Sequence, residues 1–172
     1  NKLFDLSDDD EEKSAALKQL AMITWDHFDD AEMASAYWEK YLERSPGDLE
    51  AYEKYGELLQ GMDRHEDIIA LYRKLIEDEA LSEHHRAFMR KLGLLLSSEQ
   101  VNRRDEAMEV WRKLLEGGDD IEALRTLAVW DEEKERWPDL RDNLRRQANL
   151  AEEPELKAQI LRKLANVLYE QL

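Results

Sequence analysis

Residues 37–59 read YWEKYLERSPGDLEAYEKYGELL, five aromatics placed around one Ser-Pro-Gly-Asp break. On both sides of the break the apolar residues recur at spacings of three and four, the period of a helix with one buried face. Pro46 cannot continue a helix, and Gly47 tolerates unusual backbone angles. Asp48 can accept hydrogen bonds from the free N–H groups that open the next helix. The stretch therefore predicts the end of one helix, a tight turn and the start of another. What remains open is whether the aromatics pack helix on helix or offer a stacking surface.

Self-similarity answers this. Moving 34 residues along takes Met22 to Gly56, Trp25 to Leu59, Ala34 to Ile68, Trp38 to Tyr72 and Tyr41 to Leu75. With slightly stretched spacing Gly56 maps to Gly93, Ala128 and Ala165, for an average period of about 36 residues. In the second helices Ala34, Ile68, Ala107 and Leu140 stand four before Trp38, Tyr72, Trp111 and Leu144. Apolar bulk is kept where aromatic identity is not, so the rings are expected to be packing residues, with Tyr37, outside the repeating set, as the exposed exception. A small residue in each first helix lets the second helix approach closely.

Further breaks fall at FDDAE (28–32), GMDRHED (61–67), DEALSE (78–83), SSEQVNRRD (97–105), GGDD (117–120), EKERWPD (133–139) and AEEPE (151–155). No stretch alternates as a strand would. The expected architecture is all-α: helical hairpins over 13–46, 49–80, 83–117 and 120–151, then a last helix over 154–171, in a single domain. Short breaks favour antiparallel neighbours.

YEKYGELL (52–59) and MRKLGLLL (89–96) in first helices, with AEMASAYWEKYLERSP (31–46) and DEAMEVWRKLL (105–115) in second helices, resemble the tetratricopeptide repeat (TPR) family, in a divergent, bacterial-type array. The resemblance covers roughly residues 13–172 and implies an α-solenoid of antiparallel hairpins stacked into a right-handed superhelix. The departures are that Pro46 has no strict counterpart later, the third hairpin has a longer inner turn, and Asp131 stands where an aromatic is expected.

The 172 residues carry 41 acidic and 25 basic side chains, a formal charge of −16, which repels nucleic acid phosphates and anionic lipid. Cysteine is absent, so disulfides and zinc-thiolate sites are excluded. No apolar run reaches the roughly 20 residues of a membrane-spanning helix. The N-terminus lacks a secretory layout. The expectation is a cytoplasmic chain; a periplasmic address stays open because the chain begins at Asn1 and reads as a piece of something longer. The apolar ending at Val167, Leu168 and Leu172 likewise predicts an array that continues, since a terminal repeat normally shows a polar outer face.

Motifs for chemistry are missing. His84 and His85 are adjacent, so on a helix they diverge by about 100° and do not chelate one metal as an i, i+4 pair does. His27 and His65 fall at turns with no nucleophile motif beside them. There is no phosphate loop or dinucleotide fingerprint. SDDDEEK (7–13) lacks the spacing of a calcium loop and is read as negative charge at a helix N-terminus. No enzyme activity, cofactor or metal is expected.

The resemblance implies that exposed first-helix residues line a concave groove for a protein or peptide. That groove would hold Glu53 and Glu57 in the N-terminal half. In the C-terminal half it would hold Arg90, Leu94, Arg125, Val129, Arg162, Asn166 and Tyr169. A ladder of three guanidiniums can hold carboxylates of an acidic segment by bidentate hydrogen bonds. The competing arrangement pairs these arginines with acids of neighbouring repeats, such as Glu122. Arg162 and Asn166 have the spacing of the first two members of the family's carboxylate-binding set, but the pairs 19/23, 53/57 and 90/94 do not match it, so chaperone tails are not the expected ligand. Two alternatives stand beside the interaction module: a half-repeat solenoid in an RNA-processing assembly, and the regulatory region of an enzyme whose catalytic domain lies elsewhere. Oligomeric state is not legible.

Overall fold

The computed structural model describes residues 10–171 and is all-α, with nine α-helices, one 3-10 helix and no strand among the described residues. They are α1 (Asp10–Phe28), α2 (Ala31–Arg44), α3 (Leu49–Gly61), α4 (His65–Glu77), α5 (His85–Ser97), α6 (Arg104–Glu116), α7 (Ile121–Glu133), α8 (Trp137–Leu150) and α9 (Pro154–Glu170). The 3-10 helix is Glu79–His84. Two compact units divide after Ser82. In the first, α1 packs on α2, α2 on α3 and α3 on α4; in the second, the same chain-order packing runs from α5 to α9. No described helix is long and apolar enough to cross a membrane.

One turn recurs inside every hairpin. The residue before each second-helix N-cap has positive φ: Asp29 (51°), Asp63 (55°), Asn102 (48°) and Glu135 (53°). Short polar side chains dominate this set, as the left-handed region favours. In three of the hairpins the following residue is an arginine whose N–H closes onto the carbonyl three past the small first-helix residue. The bonds are Arg64 to Leu59 (2.9 Å), Arg103 to Leu96 (2.9 Å) and Arg136 to Asp131 (2.7 Å). These arginines cannot cap the helix with an acceptor; each instead pairs with an acid three residues on, Asp67, Glu106 or Asp139. The carboxylate sits in the first helical turn, where the dipole favours it. An Arg-x-x-acid spacing is thus the sequence mark of this turn.

At the break between hairpins the side chains take over. Asp48 caps α3 by accepting from Ala51 N–H at 3.1 Å through Oδ1. Its other oxygen accepts from Tyr41 Oη at 2.6 Å and Lys18 Nζ at 2.8 Å, which ties α1, α2 and α3 together. The freedom of Gly47 is not used; Gly118 alone among the described glycines takes a positive φ, at 128°. Asp120 repeats the cap at α7, accepting from Glu122 and Ala123 N–H. Arg90 stands in the role of Lys18, its Nε 3.9 Å from Asp120.

Burial opposes ionisation of Asp48, but the hydrogen bonds from Lys18, Tyr41 and Ala51 outweigh it and hold the carboxyl below its ordinary 3.8. A lowered folded pKa contributes stability above the unfolded value that is lost as pH falls through the folded one. Urea unfolding below about pH 4 should therefore show stability dropping with acid, and Asp48→Asn, about 1 kcal/mol weaker at neutral pH, should show less of that drop. An unchanged acid profile in the variant would remove Asp48 from this role.

The aromatics of the opening stretch are packing residues, with Trp38, Tyr41, Tyr52 and Tyr55 buried; Tyr37, expected to be exposed, is half-buried instead. Their identity matters more than the repeat pattern suggests. Besides the Tyr41 contact, Tyr55 Oη donates to Glu39 at 2.6 Å, and burial with that bond pushes its phenol up to about 12.

Candidate functional site

Exposed side chains of the second unit's first helices form the leading candidate surface. Arg90 and Leu94 on α5, Arg125 and Val129 on α7, and Arg162 and Asn166 on α9 are all exposed and lie four apart on their helices, hence on one face of each. Leu94 is 46% exposed, Val129 51% and Tyr169 91%. Large apolar groups this open beside cations are what a protein-binding face presents.

The three arginines are not equivalent. Arg90 is partly engaged by Asp120, so the internal pairing is real at that position, with Asp120 and not Glu122 as the partner. Arg125 and Arg162 make no ion pair or hydrogen bond among the described residues. In the first unit Glu57 is bound to Lys54 at 2.9 Å, and Glu53 is exposed but also engaged.

A second feature lies between α6, α7 and α8 and was visible in the sequence only as a missing aromatic. Asp131 occupies the position held by fully buried Leu59 and Leu96 in the other hairpins, and it is 1% exposed. Its carboxylate accepts from Arg136 Nη2 at 2.6 Å and from Asn143 Nδ2 at 2.8 Å, with Arg112 Nη2 3.7 Å away. Gln147, also buried, donates to the Leu124 carbonyl at 2.9 Å. A cleft of about 290 Å³ opens onto this layer, lined in part by Arg112, Glu116, Asp142 and Arg146. Burial pushes the Asp131 carboxyl above its ordinary 3.8, against the opposing pull of Arg136. Its share of stability is thus largest in acid and falls as pH rises through the folded pKa, opposite in sign to Asp48. The residues that could have disclosed the cluster are Arg136 with Asp139, a third Arg-x-x-acid, and the polar Asn143 and Gln147 interrupting the apolar stripe of α8.

The histidines stay apart from both features. His84 is the N-cap residue of α5 and lies 6.5 Å, ring to ring, from Phe88. His65 opens α4 with Nδ1 buried. No group of three metal-ligating residues occurs among the described residues. Of the acidic run at 7–13, Asp10, Glu11 and Glu12 fall in the first turn of α1, and Asp10 meets Arg44 at 3.0 Å; residues 7–9 lie outside the described ones.

The sequence matches no known protein-family model, and no curated protein matches it.

Proposed function

We propose that the chain is a protein-interaction module of TPR-like, α-solenoid type, with the superhelical stacking that the resemblance implies. It takes an acidic protein segment along the exposed faces of α5, α7 and α9. The observation that carries this is the repeated pairing of an exposed cation with an exposed large or polar residue four positions later, on three successive first helices. Arg125 and Arg162 are the two recognition cations, since neither is engaged among the described residues. Leu94, Val129 and Tyr169 supply apolar area. Arg90 steadies the cap of α7 and contributes the remainder of its field to the ligand. The formal charge of −16 weighs against a nucleic acid partner.

Arg125→Glu tests this. The side chain is exposed and makes no ion pair among the described residues, so thermal unfolding should be unchanged. The affinity for the natural partner segment, measured by calorimetry, should fall about tenfold at low salt as one charge-assisted contact becomes a repulsion. Unchanged affinity would sink the ladder.

A further inference from the structure

Asp131 is a buried charge at a position where α3 and α5 carry the fully buried leucines Leu59 and Leu96, which take no charge out of water. A carboxylate has about four acceptor sites. Among the described residues this one uses two, for Arg136 Nη2 at 2.6 Å and Asn143 Nδ2 at 2.8 Å, although its side chain is 1% exposed. Burial pushes the carboxyl above its ordinary 3.8 in spite of Arg136, so these neighbours do not make up for the water it has lost. Asp131 lines the cleft of about 290 Å³ bounded by α6, α7 and α8. Arg112, also on the cleft wall, holds Nη2 3.7 Å from Asp131 Oδ1, too far for a hydrogen bond, and is 44% exposed. It makes no other ion pair or hydrogen bond among the described residues. Glu116, exposed at the rim, makes none at all among them.

We propose that this cleft binds a guanidinium group, which displaces Arg112 and donates to Asp131 and Glu116. The charge of the ligand follows from the lining. Glu116, Asp131, Asp139 and Asp142 stand there against Arg112 and Arg146, and Arg146 is already bound to Asp119. The kind of cation follows from the walls. Leu115 and Leu127 are apolar and buried, which a flat, weakly hydrated guanidinium tolerates better than a strongly hydrated ammonium does. A guanidinium already stands beside Asp131, that of Arg112, and a ligand free of the α6 backbone can close the remaining distance to hydrogen-bond length. The volume lies at the lower end of the roughly 300–1,000 Å³ of ligand pockets, which suits one arginine-sized group. Arg136 and Asn143 keep their bonds to Asp131, so the α7–α8 turn is held whether the cleft is filled or not. Two sources carry this chemistry, a free guanidino metabolite and an arginine side chain of another protein. The site shares no residue with the arginine face and does not depend on it.

The test uses the full chain, labelled for nitrogen NMR and titrated with agmatine and, separately, with the peptide acetyl-Gly-Gly-Arg-Gly-Gly-amide. The side-chain amide signal of Asn143 should shift saturably with at least one of them, at a Kd of about 1 mM or below. The tighter probe names the source, agmatine a free metabolite and the peptide an arginine of another protein. Cadaverine, with an ammonium in place of the guanidinium, should bind about fivefold more weakly or worse. Asp131→Asn should weaken binding about tenfold or more, and Glu116→Gln, an exposed change that leaves the fold alone, about threefold. Arg112→Ala should strengthen it about threefold, because the ligand no longer competes with a resident guanidinium. An Asp131 that served the fold alone would give none of these changes, and Arg125→Glu should give none either. Absence of a saturable shift with both probes, wild-type binding by both Asp131→Asn and Glu116→Gln, or weaker binding by Arg112→Ala would overturn the inference.

Discussion

Asp131→Ala should lower the unfolding free energy by about 2–4 kcal/mol at pH 7, read from urea titration. The loss is of two kinds. A side chain that is 1% exposed disappears, and the donors of Asn143 and Arg136 that it satisfied are left without an acceptor. Removing one member of a fully buried pair costs roughly 3–5 kcal/mol, but the Arg136 side chain is 33% exposed and can turn partly to water, which lowers the expected figure. Asp131→Asn separates charge from hydrogen bonding. The amide still offers an oxygen to Arg136 and gives up only the charge, so it should cost less than alanine, about 1 kcal/mol. Equal losses for Ala and Asn would mean that the charge itself anchors the α7–α8 turn. Asp131→Leu with Asn143→Val restores the types found at Leu96 and Val110 in the preceding hairpin, and should recover most of the loss.

The second large effect is at Gly93. A methyl group there would sit 2.7–2.8 Å from three atoms of the Trp111 indole. That ring is 0% exposed and its Nε1 donates to Ser97 Oγ at 3.2 Å, so it has nowhere to move. Gly93→Ala should destabilise by about 2 kcal/mol, after the roughly 1 kcal/mol that alanine gains over glycine in a helix is set against the overpacking. Gly56→Ala provides the contrast. The nearest atom there is the Tyr72 hydroxyl at an ordinary 3.5 Å, so the helical gain should prevail and the variant be neutral or up to about 1 kcal/mol more stable. Melts of the two variants side by side decide it. If both behave alike, close approach at the small position does not set the packing of α5 on α6.

The helices were legible because their signals are local. The period of the apolar residues placed them, and Asp48, Asp120 and Pro154 marked starts that the structure keeps as N-caps or first-turn positions. The inner turns were less legible. Their positive-φ residues are Asp, Asn and Glu, none of which marks that geometry in a sequence as a glycine does, whereas Gly47, which does mark it, takes no positive φ. Tyr41 and Tyr55 read as apolar bulk, since a pattern of spacings does not reveal where a hydroxyl points. The polar layer at Asp131 was hidden for a related reason. An acid in a 38% charged chain carries no weight until Arg136, Asn143 and Arg112 are brought to it from two other helices. The arginine face was legible as exposure and spacing, whereas the engagement of Arg90 by Asp120 needed the conformation of the α6–α7 turn.

The proposed binding of a partner across α5, α7 and α9 can be tested by crosslinking. The most direct measurement places a photoreactive phenylalanine analogue at Val129 on that face, and separately at Glu109 on α6, where the side chain is also exposed. After irradiation in a lysate of the source cells, the claim predicts a discrete adduct at Val129, competed away by the isolated partner segment and lost with Arg125→Glu, and none at Glu109. Adducts at Glu109 alone, or at Val129 but indifferent to Arg125→Glu, would contradict it.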